Sequence, residues 1–181
     1  MDKRQEENLR VKTAIAEAFL RLLEAKPMEN ISVSEITAHA NVSRMAYYRN
    51  FSAKREIIKF YYDEIIFCEI KNLLIKGGES ELDFWSKEYG LAFFTVMKRH
   101  KKQILMLESL GYSGMLLQAF NETNIDIAGD MPARSIKRYT IYYAAGASFN
   151  GMLEWLKNGC KETVEEIVDS IYDFMNVEDK G

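Results

Sequence analysis

Apolar residues recur every three to four positions over long stretches of this sequence. Only ten glycines and two prolines interrupt its 181 residues. This spacing brings apolar side chains onto one face of an α-helix. The pattern predicts helices over residues 8–25, 53–76, 82–99, 103–110, 115–120, 133–157 and 162–176. The sequence therefore predicts an all-α fold, with residues 121–132 as a loop or a frayed segment.

Residues 32–51 predict two further short helices that are joined by a tight turn. Ser32 and Glu35 form an S-x-x-E capping box, in which the two residues satisfy each other's backbone N–H groups at a helix start. Ser43 can cap the second short helix. Asn41, in the turn, tolerates the left-handed backbone region. The segment has the pattern of a helix-turn-helix.

A helix-turn-helix places the exposed side chains of its second helix in the major groove of DNA. Arginine reads guanine through paired hydrogen bonds, and apolar side chains contact the thymine methyl group. The predicted base readers are Arg44, Met45, Ala46, Tyr47 and Arg49. Flanking hydroxyl, ammonium and backbone N–H groups contact phosphates, and the predicted residues of this kind are Ser32, Ser34, Tyr48 and Lys54. For Tyr47, packing in the core is an equal alternative.

The segment ISVSEITAHANVSRMAYYRNFSAKREII resembles the DNA-binding region of the TetR family of bacterial regulators, as does the AIAEAFLRLL pattern before it. The matching positions are Ser32, Val33, Ile36, Ala40, Val42, Ser43, Tyr47, Tyr48, Phe51, Lys54 and Ile57. In that family, the residues at the positions of Tyr48 and Lys54 usually contact the DNA backbone. The chain departs from the usual pattern at Thr37, at Asn41 and at Met45-Ala46-Tyr47, which alters the base-reading surface.

The resemblance also implies a domain organisation. It covers residues 9–69 and implies an N-terminal three-helix helix-turn-helix DNA-binding domain there, with a helical ligand-binding and dimerisation domain over residues 70–181. Residues 142–163 look like the penultimate helix of a TetR subgroup that includes a co-activator of dihydroxyacetone kinase expression as well as repressors. In such proteins the last two helices pair with their twofold mates, which implies a homodimer.

TetR-like bodies usually enclose a ligand cavity between the long helix after the DNA-binding domain and the body helices. The aromatic and methionine side chains of the body favour a small apolar or aromatic ligand. Each of these side chains has core packing as its alternative. The candidate lining residues are Phe67, Trp85, Tyr89, Phe93, Met106, Met115, Phe120, Tyr143 and Asn150.

The distribution of charge agrees with a DNA-binding head. Residues 1–60 carry 11 Lys and Arg against 8 Asp and Glu, whereas residues 61–181 carry 13 against 19. A mildly basic head on an acidic body suits a protein whose head meets phosphates.

Several other classes of protein and site are not expected. Cys68 and Cys160 form no CxxC pair, so we expect neither a disulfide framework nor a zinc site, and a redox role stays open. Neither His39 nor His100 has a thiol or carboxylate at ligand spacing, so we expect no metal, and no cofactor is implied. No apolar run is long enough to cross a membrane and no signal peptide is evident, so we expect a cytoplasmic protein.

The sequence predicts a ligand-responsive DNA-binding transcriptional regulator. The leading hypothesis is a repressor that a small-molecule inducer releases from a pseudo-palindromic operator on double-stranded DNA. The alternative is a co-activator that keeps the DNA-binding head and acts through a partner protein. The sequence shows no nucleophile with a base and no glycine-rich phosphate loop, so we expect no enzymatic activity.

Overall fold

The computed structural model describes residues 3–77, 83–129 and 131–176, and the regular structure within these ranges is helical, without a strand. The all-α prediction is confirmed. A 3₁₀ helix spans Met28–Asn30, and a π-helical segment, Tyr61–Phe67, lies between α4 and α5. The α-helices are α1 (Lys3–Leu23), α2 (Val33–Ala40), α3 (Arg44–Asn50), α4 (Lys54–Phe60), α5 (Cys68–Lys76), α6 (Lys87–Arg99), α7 (Lys101–Ser109), α8 (Ser113–Ala128), α9 (Ile136–Lys157) and α10 (Val164–Asn176).

The chain divides into two compact units, Met1–Ile65 and Ile66–Gly181. The division falls inside the π-helical segment, so that α1–α4 belong to the first unit and α5–α10 to the second. Each unit has its own set of buried apolar side chains. A separate core is what allows a unit of this size to hold its fold by itself.

In the first unit, α1 packs against α2, α3 and α4. The core there includes Ile15, Phe19, Ile36, Tyr47 and Ile57, each no more than 2% exposed. Side chains four residues apart lie on one face of a helix, which explains why apolar positions spaced in this way along α1 are buried together. The first two turns of α1 are charged and exposed. Because they carry no apolar pattern, the sequence predicted a start at residue 8, whereas the helix begins at Lys3.

The turn between α2 and α3 depends on one left-handed residue. Asn41 has φ 53° and ψ 46°, and its N–H donates to the carbonyl groups of Ala38 and Thr37. Asparagine enters this region at a lower cost than most residues with a side chain. The prediction for Asn41 is therefore confirmed, and the conformation lets α3 leave the turn in a new direction after a short connection.

In the second unit, α6 packs against α5 and α10, and α8 packs against α9. One side of α9 is buried through residues such as Ile141, Ala145, Phe149 and Met152. Its opposite side leaves large apolar side chains exposed, namely Ile136 at 83%, Tyr139 at 59% and Tyr143 at 77%. The two-sided apolar pattern of α9 thus corresponds to one face in the core and one face left open in the single chain.

The prediction of a loop or a frayed segment over residues 121–132 is wrong over most of its length, because α8 continues to Ala128. Its polar residues Thr123 and Asn124 are buried rather than solvated. The Asn124 side chain accepts a hydrogen bond from the Tyr89 hydroxyl group at 2.7 Å. This hydrogen bond offsets the cost of burying the amide oxygen, which is why Asn124 can lie on the inner face of α8.

Candidate nucleic-acid interface

Side-chain caps fix where α2 and α3 begin. The Ser32 hydroxyl oxygen accepts from the Glu35 backbone N–H at 3.2 Å, and a Glu35 carboxylate oxygen accepts from the Ser32 N–H at 2.9 Å. The Ser43 hydroxyl oxygen accepts from the Ala46 N–H at 3.1 Å. Both predicted caps are present. Each accepts a hydrogen bond from a backbone N–H group that has no partner within its helix.

Glu35 has a second role as an ion-pair partner. The Lys26 ammonium group donates to one of its carboxylate oxygens at 2.5 Å, and the Ser32 N–H and hydroxyl groups donate to the other. The bond from Lys26, followed by those from Ser32, holds the pKa of Glu35 below its ordinary value, at about 2. The start of α2 is thereby connected to the segment that follows α1.

This arrangement predicts a pH-dependent stability for the first unit. A carboxyl group with a lower pKa in the folded chain stabilises the fold above its unfolded pKa and loses that contribution as the pH falls through the folded pKa. For Glu35 this window runs from about 4.5 down to about 2. We expect Glu35→Gln to be less stable than the wild type at neutral pH, with the difference narrowing as the pH falls through the window. Urea unfolding followed by circular dichroism measures it.

The control is Glu6→Gln, which removes one carboxylate from the exposed start of α1. A difference between wild type and Glu35→Gln that stays constant from neutral pH to pH 2 would show that the carboxylate charge does not support the fold.

One face of α3 points its side chains into solvent. Arg44, Met45, Tyr48 and Arg49 are exposed, with Met45 at 80% and Tyr48 at 63%. Residues separated by four positions lie one above the other on a helix, so Arg44 aligns with Tyr48 and Met45 with Arg49. The face combines two guanidinium groups, a thioether and a phenol. These groups suit phosphates, guanine edges and thymine methyl groups.

Tyr47 does not belong to this face. Only 2% of it is exposed. Its ring packs edge-on against Tyr48 at 5.4 Å between centroids, and at a tilt against Phe51 at 6.1 Å. The structure therefore places Tyr47 in the core of the first unit, the alternative that the sequence left open, and its prediction as a base reader is corrected. Ala46, beside it, is half-buried, with its N–H bound to the Ser43 cap.

Three of the predicted phosphate contacts have hydrogen-bond partners within the chain. The Ser32 hydroxyl group is used by the capping box, and the Ser34 hydroxyl oxygen accepts from the Arg44 guanidinium group. The Lys54 ammonium group donates to the carbonyl oxygens of Met28 at 2.5 Å and Ile31 at 2.9 Å. An ammonium group has three N–H donors. Lys54 therefore holds the 3₁₀ turn with two of them and keeps one for another acceptor.

The second unit contains a cavity among α6, α8, α9 and α10 and the residues before α6. Four of the predicted lining residues lie on its wall, namely Trp85, Tyr89, Phe93 and Phe120. Phe67 does not line this cavity, but its ring stacks on Phe120 at 5.9 Å between centroids. Four others do not line it: Tyr143 and Asn150 are exposed on α9, and Met106 and Met115 are half-buried.

Several residues of the cavity wall were not predicted from the sequence. These include Asn124 on α8 and Val168 and Tyr172 on α10. Asn124 lies four positions after Phe120, so helical spacing from a predicted lining residue is a signal that could have found it. The residues on α10 were missed because the pattern showed only that the helix has one apolar face.

Among the residues that the structure describes, no group of three His, Cys, Asp or Glu side chains could hold a metal ion. None of the described helices is both long enough and apolar enough to cross a membrane.

Solved structures share the fold of this chain. One, described as "Dihydroxyacetone kinase operon activator DhaS", is 17% identical with a TM-score of 0.61, covering 93% of this chain and 95% of that chain. Another, a TetR transcriptional regulator from Streptococcus agalactiae 2603V, is also 17% identical, with a TM-score of 0.58 and coverage of 92% and 94%. No curated protein sequence matches at a significant level.

Two family models match the sequence itself. The model described as "Bacterial regulatory proteins, tetR family" matches residues 15–59, which contain the helix-turn-helix. The model described as "Transcriptional regulator C-terminal region" matches residues 112–177, which contain most of the cavity-forming helices. Proteins of this kind are DNA-binding regulators of transcription that typically dimerise, and they are not enzymes. The chain belongs to the TetR family of transcriptional regulators.

Proposed function

We propose that this protein is a homodimeric repressor in the cytoplasm that binds a pseudo-palindromic operator and leaves it when a small ligand binds the second unit. The observation that carries the DNA-binding assignment is the exposed face of α3, which is formed by Arg44, Met45, Tyr48 and Arg49. These side chains stand on a short helix whose other face is anchored in the core by Tyr47. A rigid helix with exposed polar and apolar groups is what major-groove reading requires.

The proposed contacts follow from the chemistry of each side chain. Arg44 and Arg49 can pair with the O6 and N7 atoms of guanine, and Met45 can contact a thymine methyl group. The Tyr48 hydroxyl group and the remaining N–H donor of Lys54 suit phosphate oxygens. In the structure Arg44 donates to the hydroxyl group of Ser34, so reading a base requires Arg44 to exchange that partner for DNA.

The proposed dimer uses α9 and α10, the last two helices. Ile136, Tyr139 and Tyr143 are spaced by three and four positions and form one exposed apolar face of α9. Phe174 on α10 is also 78% exposed. A group of large apolar side chains at the surface favours an interaction site. A second copy that presents the same helices would cover this face by twofold symmetry.

The cavity of the second unit supports the ligand response. A ligand shifts a protein between two conformations only to the extent that it binds one of them more tightly. In the proposed mechanism, the inducer binds best in a conformation whose two α3 helices do not match the half-site spacing, so it lowers affinity for DNA. The domain boundaries that we propose are those of the resemblance, with DNA binding in residues 9–69 and ligand binding and dimerisation in residues 70–181.

The test is DNA binding by exposed-face variants. The purified protein is used to select double-stranded DNA from a random pool, and we expect a pseudo-palindrome with half-sites about one helical turn apart. We expect Arg44→Ala and Tyr48→Ala each to weaken binding to the selected DNA by about fivefold to 150-fold, the effect of losing a contact of about 1–3 kcal/mol. Gel shift at fixed salt concentration measures it.

The matched control is Arg134→Ala, which removes an exposed arginine from the second unit. It should leave DNA affinity close to that of the wild type. If Arg44→Ala and Tyr48→Ala both bind the selected DNA as the wild type does, α3 is not the reading helix. Because both side chains are exposed, circular dichroism should show an intact fold.

Activation is the second candidate function. A solved structure with this fold is described as an operon activator, so the fold alone does not set the direction of regulation. A reporter gene placed behind the selected DNA decides between the two. Repression predicts lower reporter output when the protein is expressed, whereas higher output, or a stable complex with a partner protein, supports the co-activator alternative.

A further inference from the structure

The wall of the cavity carries no charged side chain among the residues that the structure describes. Its polar side chains, besides the Trp85 indole at the edge, are Tyr89, Asn124, Ser148 and Tyr172. An ionised ligand group would lose its hydration there without gaining an ionic partner, which is strongly unfavourable. The composition of the wall therefore favours a neutral ligand.

Asn124 offers a hydrogen-bond donor at this wall. It is 1% exposed, and its amide oxygen accepts from the Tyr89 hydroxyl group at 2.7 Å. This bond fixes which end of the amide is which, because the oxygen is the atom that accepts from Tyr89. The NH₂ group is then available to donate to a different acceptor. No residue of the described ranges supplies an acceptor for that NH₂ group. Asn124 lies on the cavity wall, and polar groups inside a protein usually have a hydrogen-bond partner, so its NH₂ group is a position for a ligand acceptor.

Aromatic rings define the shape of the space beside Asn124. Phe93 and Phe120 stack at 4.5 Å between centroids, with 15° between their planes. Phe67 continues the stack behind Phe120. Flat apolar groups pack well against such ring faces and edges. The wall thus combines aromatic surface with the amide group of Asn124.

The cavity must widen to hold a ring. Its volume is about 50 Å³, whereas an apolar cavity that binds benzene has about 150 Å³. Trp85 and Met175, which line it, are 42% and 40% exposed, so a ligand would enter by moving these two side chains. A ligand that enters in this way changes the environment of the Trp85 indole.

We propose that the cavity binds a neutral, single-ring aromatic molecule with a carbonyl-type oxygen, which accepts a hydrogen bond from the Asn124 NH₂ group. This assignment deepens the proposed function and rests on it, because it names the class of molecule that would act as the effector. Asn124 is then the residue that selects oxygen-bearing ligands over hydrocarbons of the same shape.

The experiment compares three probes that differ at one group. Acetophenone has the ring and the carbonyl oxygen, α-methylstyrene replaces that oxygen with CH₂, and benzoate carries a charge. Binding is followed through Trp85 fluorescence in a Trp155→Phe background, since the chain has two tryptophans. We expect acetophenone to bind about tenfold more tightly than α-methylstyrene, the value of one hydrogen bond, and benzoate to bind most weakly.

The Asn124→Leu variant should bind acetophenone and α-methylstyrene equally. This change leaves the Tyr89 hydroxyl group without its acceptor and can destabilise the fold. The double variant Tyr89→Phe/Asn124→Leu removes both partners of the hydrogen bond, so it is used if the single variant does not fold. Asn72→Leu, at an exposed asparagine of α5, should keep the tenfold preference. The proposal is overturned if the wild type binds the two probes equally, binds none of them or prefers benzoate. It is also overturned if Asn124→Leu keeps the preference.

These measurements need no DNA, so the two proposals fail separately. If the protein prefers acetophenone but selects no DNA from the random pool, the ligand site is supported and the proposed regulatory function is contradicted. If the protein selects a pseudo-palindrome but shows no preference among the probes, the regulatory function is supported and the assignment of Asn124 is contradicted.

Discussion

Tyr47→Ala is expected to lower the free energy of unfolding of the first unit by about 3–5 kcal/mol, the range for removing a buried aromatic ring. Tyr47 is 2% exposed and packs against Phe51, so its removal leaves a cavity in a core formed by few helices. Total stabilities of about 5–15 kcal/mol are usual, so this loss is a large share of what holds the unit together.

The neighbouring tyrosine is the matched control for this prediction. Tyr48 is 63% exposed, so Tyr48→Ala should cost less than about 1 kcal/mol and act on DNA affinity instead. Unfolding of the two units can be separated, because Trp85 and Trp155 both lie in the second unit. In Tyr47→Ala the helical circular dichroism signal should fall at a urea concentration where tryptophan fluorescence is unchanged. Equal losses of stability in both variants would contradict the assignment of Tyr47 to the core.

A third variant separates packing from base reading at position 47. Tyr47→Phe keeps the ring and removes the hydroxyl group. If Tyr47 acts only by packing, this variant should fold and bind DNA as the wild type does. A loss of DNA affinity in a fully folded Tyr47→Phe protein would instead restore Tyr47 to the base-reading set.

The caps and the turn of the helix-turn-helix could be predicted because their signals are local. Ser32 and Glu35 are three positions apart, as the capping box requires, and Asn41 needs only its own tolerance of positive φ. Local signals did not decide which of Tyr47 and Tyr48 is buried, and the role of Tyr48 at the surface was supported by the family resemblance. Both are amphipathic side chains on a seven-residue helix, and which of them faces the core depends on where α1 lies.

The cavity was less predictable than the helix-turn-helix, for a physical reason. Apolar periodicity identifies the buried face of a helix only where that face is apolar. On α8 the buried face includes Thr123 and Asn124, and Asn124 is compensated by Tyr89, which is 35 positions away. A polar pair of this kind has no local signature, so the pattern predicted a loop or a frayed segment. Asn124, which the apolar pattern did not place on a helix, is the residue that we propose selects the ligand.

Tyr143→Arg is expected to convert the dimer into a monomer, with a mass in solution of one 21.0-kDa chain rather than two. Tyr143 is 77% exposed in the single chain, and tyrosines of this kind often carry much of the energy of an interface. In a twofold interface the substitution occurs in both copies, so two guanidinium groups would lose water without gaining ionic partners. Light scattering after size-exclusion chromatography measures the mass.

Ile75→Arg is the control, because it adds the same charge at an apolar residue of α5 that is 62% exposed. It should leave the dimer intact. A wild-type protein with the mass of a single chain would contradict the dimer proposal outright. A Tyr143→Arg protein that remains dimeric would show that this face of α9 is not part of the interface.

The same variant should separate dimerisation from base reading on DNA. Two linked heads bind paired half-sites more tightly than one head by a factor of about 10²–10⁴, because the second contact is intramolecular. Tyr143→Arg should therefore lose most of its affinity for the full pseudo-palindrome and bind a single half-site as weakly as the wild type does. Arg44→Ala should lose affinity for both DNAs, since it removes a contact within each half-site. If Tyr143→Arg also weakens binding to the single half-site, its effect is not due to loss of the dimer.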